Sequence, residues 1–93
     1  MLTKYETVFI IDPAVEDKTA VIEKFTAMIN ENGKVENVDE WGNRKLAYEI
    51  KKNKEGYYVL INFEAEGSFV SELERVFRIT DEVIKFIVVN KEN

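Results

Sequence analysis

Two stretches of this chain carry the same apolar spacing, and that pair limits the possible folds more than any other feature. In the first, Val21, Ile22, Phe25, Met28 and Ile29 fall at i, i+1, i+4, i+7 and i+8. In the second, Phe69, Val70, Leu73, Val76 and Phe77 repeat those offsets. Each set covers one face of an α-helix and leaves the other face to charged residues. The segments around the helices are short and rich in β-branched and aromatic residues, so the spacing predicts two helices embedded among strands.

Lys4–Ile11 reads as the first strand and stops at Asp12-Pro13. The first helix is expected from about Glu16 to Asn32, with Gly33 just past its end. A second strand is expected from Val35 to about Glu40, breaking near Trp41-Gly42-Asn43 and resuming from Arg44 to Lys51. Asn53-Lys54-Glu55-Gly56 reads as a turn into a third strand, Tyr57–Ala65. Gly67-Ser68 opens the second helix, with Ser68 as its N-cap. Ile84–Val89 is the last strand, followed by the short polar tail Asn90–Asn93. The order β-α-β-β-α-β, with right-handed crossovers, predicts an α+β ferredoxin-like domain over residues 1–93. Its four-stranded antiparallel sheet would carry both helices on one face. The other face is left bare, and a partner would bind there or on the edge strands.

Chemistry by side chain is sparse. The 93 residues contain neither Cys nor His, which removes disulfides, thiol nucleophiles, the usual zinc sites and the ordinary proton shuttle near pH 7. Asp39-Glu40, Glu72 with Glu74, and Asp81-Glu82 are carboxylate clusters that read as solvated surface. Gly42, Gly56 and Gly67 stand singly, so no phosphate-cradling loop is present. No metal, cofactor, small-molecule substrate or catalytic residue is expected. The longest clean apolar stretches, Val8–Ile11 and Phe86–Val89, fall far short of the ~18 residues of a membrane helix. Lys4, Glu6 and Asp12 interrupt the first dozen residues, so these do not read as a secretory leader and a cytoplasmic location is expected.

The net charge is −5. A domain that bound nucleic acid by phosphate neutralisation alone would be basic, so any such binding must use a small local patch and a second protein. Lys54-Glu55-Gly56-Tyr57-Tyr58-Val59 resembles in outline the third strand of the RNA-recognition motif, which shares this topology. Yet Tyr58 stands where that motif has a small residue, and Val59 where it has an aromatic one. Strand alternation sends Tyr57, Val59, Ile61 and Phe63 to one face, the expected core face, and Tyr58, Leu60, Asn62 and Glu64 to the other. Base stacking in that style is not expected.

The segment from Asp39 to Lys51 is the most informative. It sets the only Trp beside a Gly, then Arg44-Lys45, then alternating Leu46, Tyr48 and Ile50 on an expected edge strand. It is read either as a bulged hairpin whose large residues finish the core, or as a docking edge with Trp41 as anchor and Arg44 and Lys45 reaching phosphate.

At this block the chain resembles the bacterial small-subunit ribosomal protein six family. The resemblance runs the full length. It includes Tyr5-Glu6, Gly33-Lys34-Val35, Trp41-Gly42-Asn43-Arg44-Lys45-Leu46-Ala47-Tyr48-Glu49-Ile50, Lys54-Glu55-Gly56-Tyr57-Tyr58, and the run from Phe77 to Lys85. The resemblance implies a ribosomal assembly protein rather than an enzyme. Such a protein binds the central domain of 16S ribosomal RNA jointly with small-subunit ribosomal protein eighteen, a basic partner able to carry most of the phosphate neutralisation. It further implies RNA contacts at Lys4, Arg44, Lys45, Arg78 and Lys85; Trp41, Leu46 and Tyr48 are read as the protein-partner edge. Leu2 and Asn90 stand where the family commonly has basic residues, so affinity for RNA alone is expected to be low. Two other readings belong to the same fold: a regulatory or ligand-binding domain dimerising through its bare face, and a small dimeric enzyme, for which the chain has no suitable residue set.

Overall fold

A computed structural model describes residues 1–92 of the chain. The elements are β1 (Thr3–Ile11), α1 (Lys18–Asn32), β2 (Gly33–Ile50), β3 (Asn53–Ala65), α2 (Gly67–Ile79) and β4 (Val83–Asn90). The strands lie in the order β2-β3-β1-β4, and every adjacent pair is antiparallel. This is the expected ferredoxin-like arrangement, with β2 and β4 as the edges.

Alternation along the strands separates the two faces. Tyr5, Phe9 and Ile11 of β1 and Val59, Ile61, Phe63 and Ala65 of β3 are buried together with the helix stripes Val21, Ile22, Phe25, Ile29 and Phe69, Leu73, Phe77. Both helices therefore cover the same face. Phe25 and Phe77, one from each helix, stack at 4.3 Å between ring centroids, and Phe9 lies within 5.4 Å of both. Phe9, Phe25 and Phe77, each at most 1% exposed, form the centre of this core. Two buried polar side chains are satisfied locally. The Thr7 hydroxyl donates to the Ile87 carbonyl at 2.8 Å. The Thr80 hydroxyl donates to the Val76 carbonyl and accepts from Lys24, tying the end of α2 to α1.

The element boundaries differ from the expected ones in three places. The Asp17 carboxylate accepts from the Ala20 N–H and caps α1, but Ser68 lies inside α2 and the N-cap position falls on Glu66, whose side chain makes no cap bond. Gly33 stands just past the end of α1, as expected, yet β2 opens not at Val35 but at this glycine, in extended backbone. A Cβ there would strike the Glu64 carbonyl of β3, so the glycine serves close approach of two backbones.

The third difference concerns the hairpin. β2 runs unbroken through Trp41-Gly42-Asn43, with Trp41 as a bulge between Glu40 and Gly42 and Gly42 at φ +81°. The turn is Lys51-Lys52, at φ 50° and 66°, rather than Asn53–Gly56. The polar tail is tied back to β1: the Lys91 N–H donates to the Lys4 carbonyl, and the Glu92 carboxylate accepts from the Lys4 N–H. Asn93, the last residue of that expected tail, lies outside the described residues.

Candidate functional site

The face of the sheet opposite the helices is not uniformly bare. Near the hairpin end, β2 pairs with β3 up to Lys45 opposite Glu55, and the next pair is Ile50 opposite Asn53. Residues 46–49 thus bulge away from the ladder. They fold across the sheet, and Leu46 is buried against Ile10 and Ile84, with Ile50 and Tyr58 packed alongside. Gly56 lies beneath this cover. A Cβ on it would meet the Ile10 side chain and reach Leu46, so the glycine leaves room for the small second core.

Around that core stand aromatic side chains, each carrying a cation. Trp41 stacks on Tyr58 at 6.2 Å with ring planes 16° apart, and its indole N–H donates to Asp39 at 3.2 Å. The Arg44 guanidinium lies 5.5 Å over the Trp41 ring. At the other end, the Lys85 amine of β4 lies over the Tyr48 ring and donates to its hydroxyl at 2.9 Å. That hydrogen bond holds the Lys85 amine above its ordinary pKa, with attraction to Tyr48 adding to it. Such cation–aromatic pairs hold a long side chain in place while leaving N–H donors free for an anion.

The residues singled out from sequence divide clearly. Arg44 and Lys85, and with them Trp41, Leu46 and Tyr48, come together on the open face. Leu46 is only 8% exposed, whereas Trp41 and Tyr48 are 40% and 62% exposed. Leu46 is thus part of the chain's own packing, and the exposed apolar edge consists of Trp41 and Tyr48. Lys4 shares the open face but sits at its far end, across from Glu64 of β3. Lys45, next to Arg44, turns to the opposite face by strand alternation and pairs across the ladder with Glu55. Arg78 ends α2, where its charge suits the helix C-terminus, and its guanidinium lies 5.9 Å over Phe86.

Sequence reasoning missed two features. One is an apolar strip on the open face: Ile87 and Val89 of β4 are 56% and 45% exposed, beside Val8 of β1 and Leu60 of β3. Their alternation with core residues was the available signal. The other is Lys51, which the folded hairpin brings alongside Arg78 and Lys85. A polar network of Asn37, Asn62 and Lys91 completes this face, with Asn62 donating to Asn37 at 2.9 Å and accepting from Lys91 at 3.1 Å. Among the described residues, no helix is long and apolar enough to cross a membrane.

Comparison with known proteins gives a consistent picture. A family profile described as ribosomal protein S6 matches residues 4–90. The small ribosomal subunit protein bS6 of Clostridium novyi is 57% identical over 94 residues, covering 98% of this chain and 99% of its own. That of Clostridium beijerinckii is 54% identical over 94 residues, with 98% and 99% covered. Among solved structures, the crystal structure of 30S ribosomal protein S6 from Thermotoga maritima superposes with a TM-score of 0.93 at 38% identity, covering 99% of this chain and 90% of that one.

Proposed function

This chain belongs to the ribosomal protein S6 family and is a structural, non-enzymatic constituent of the small ribosomal subunit; from that premise we propose that it binds the central domain of 16S ribosomal RNA jointly with small-subunit ribosomal protein eighteen. The observation that carries this reading is the pairing of cations with aromatics on the open face, Arg44 on Trp41 and Lys85 on Tyr48. In a chain of net charge −5, these fixed cations are the local positive patch that phosphate contact requires. The exposed strip of Ile87 and Val89 beside Val8 and Leu60 is suited to a protein surface rather than to phosphate. RNA and protein would then share one face. The partner supplies most of the phosphate neutralisation, and this chain supplies shape, an apolar dock and a few positioned cations. Trp41 and Tyr48 serve the partner edge, Arg44 and Lys85 the RNA, and Lys4 the RNA at the far end of the face. Arg78 belongs to the RNA side through its place beside Lys85.

The test is a titration against a central-domain RNA fragment, with and without ribosomal protein eighteen, at several salt concentrations. Tight binding only when the partner is present is the expected result. Equal binding with and without it would remove the partner from the reading, and no binding in either case would remove the RNA.

A further inference from the structure

A pocket at the β4 edge of the sheet borders the open-face cluster and shares Lys85 with it. Its charged walls are Lys51 from the hairpin turn, Arg78 from the end of α2 and Lys85 from β4, and its floor is Phe77, Val83 and Phe86. Three separate parts of the fold therefore deliver one cation each to the same place. Among the described residues no carboxylate lines it, although the chain has 18 acidic residues against 13 Lys and Arg. Asp81 and Glu82 precede β4 in sequence but do not border the pocket. Two of the three cations are restrained, Arg78 over the Phe86 ring and Lys85 by the Tyr48 hydroxyl. The third is placed by backbone: Lys51 and Lys52 both hold positive φ, a conformation unfavourable to residues with a Cβ. β4 is an edge strand, so outward-facing backbone N–H groups lie beside these side chains.

From this convergence we infer that the Lys51–Arg78–Lys85 pocket is a phosphate subsite that takes one backbone phosphate of the bound ribosomal RNA. The inference rests on the RNA reading above and adds a residue, Lys51, and a position to it. The aromatic floor lowers the local dielectric and strengthens each charge-assisted hydrogen bond to a phosphate oxygen. One phosphate lies between the hairpin turn and the helix end, which fixes the register of the RNA against the sheet edge.

The experiment measures RNA affinity in the presence of ribosomal protein eighteen over a salt series, for the unaltered chain, Lys51→Gln and Lys52→Gln. The two variants change net charge equally and sit side by side in the turn, but only Lys51 lines the pocket. Lys51→Gln should bind more weakly and show a salt slope shallower by about 0.7–0.9, the loss of one phosphate contact. Lys52→Gln should keep the unaltered slope. Equal slopes for all three proteins, with tight RNA binding retained, overturn the subsite and leave the RNA reading standing. Failure of the unaltered chain to bind RNA beside its partner overturns both. Binding of inorganic phosphate, but not chloride at matched ionic strength, to the Lys51 pocket of the chain alone, together with an RNA salt slope that Lys51→Gln leaves unchanged, would assign the pocket to free phosphate and overturn the RNA assignment.

Discussion

The Lys85 amine, on one edge strand of the sheet, donates to the Tyr48 hydroxyl of the other edge strand at 2.9 Å. β3 and β1 lie between these strands, so the contact exists only because the end of the β2–β3 hairpin folds over the sheet. The burial of Leu46 on Ile10 and Ile84 is the packing gain that favours this fold-over. The Tyr48–Lys85 bond, with an exposed acceptor, positions a charge rather than stabilising the domain.

Those two roles separate on mutation. Leu46→Ala should lower stability by about 2 kcal/mol, near the bottom of the usual range because a small surface core can partly collapse. Urea denaturation measures it. Tyr48→Phe should leave the urea midpoint unchanged but lower the Lys85 pKa toward its ordinary value, since the raising hydrogen bond is lost. Side-chain NMR titration of the lysine reads that shift. An unchanged midpoint for Leu46→Ala would mean the hairpin end is not held by its packing.

Arg44 and Lys45 are adjacent in sequence yet face opposite ways. Arg44→Ala should therefore weaken RNA-dependent assembly and flatten its salt dependence by about one phosphate contact. Lys45→Ala should do neither, and neither should shift the melting temperature by more than a degree or two, the response expected at exposed positions. Equal effects of the two substitutions on the salt slope would show that the approach of RNA is not confined to the open face.

Much of this architecture is legible in sequence because it is local. The helix stripes, the alternation that buries Val59, Ile61 and Phe63, and the Gly42 irregularity all follow from periodicity and residue type. The turn falls two residues before the segment that residue type predicts, for a physical reason. Asn53 and Gly56 are turn residues by type, but Gly56 is needed in mid-strand so that Ile10 and Leu46 can meet above it. The true turn uses two lysines in a conformation that their side chains disfavour. Lys51 reads as one member of a solvated run, and only the non-local fold-over brings it beside Arg78 and Lys85. Leu46 fits a docking edge in one dimension and is core in three.

Two glycines should respond differently to alanine. Gly42 has open space around its missing Cβ but holds φ +81°, so Gly42→Ala should cost about 1 kcal/mol from backbone strain alone, and Gly42→Asn less. Gly33 has no unusual φ, but its Cβ would strike the backbone of Glu64 and Ala65. Backbone cannot yield as a side-chain tip can, so Gly33→Ala should be the more destabilising of the two, by about 3 kcal/mol or more. Thermal unfolding of the two variants orders them, and the reverse order would contradict the close approach of β2 to β3.

Tyr57 donates to the Glu40 carboxylate at 2.6 Å, across the β2–β3 ladder on the helix side. Accepting that proton is work for a charged acceptor, so the bond, with burial and the nearby negative charge, raises the phenol above its ordinary pKa of 10.0. Between the unfolded value and the raised folded value the native chain holds the extra proton. The contribution to stability is thus fully present below about pH 10 and lost as pH rises through the folded pKa. Tyrosinate absorbance should show a phenol titrating above the ordinary value, and Glu40→Gln should bring it back toward that value. Persistence of the late phenol in Glu40→Gln would assign it to another tyrosine.

The hairpin turn supplies the last prediction. Ile50 and Asn53 pair across it, leaving Lys51 and Lys52 as a two-residue loop with both φ values positive, the pattern in which Asn-Gly and Gly-Gly are preferred. A residue with a Cβ costs about 1 kcal/mol or more in that region. Glycine removes the cost at the second loop position but adds freedom to the unfolded chain. Lys52→Gly should therefore stabilise the domain by about 0.5 kcal/mol, measured by urea denaturation, and leave RNA binding unchanged because Lys52 does not line the β4-edge pocket. Lys51→Gly should gain similar stability and lose affinity together, since the same substitution relaxes the turn and removes the cation it positions. A stabilised Lys51→Gly with undiminished RNA affinity would mean that the left-handed turn serves the hairpin alone.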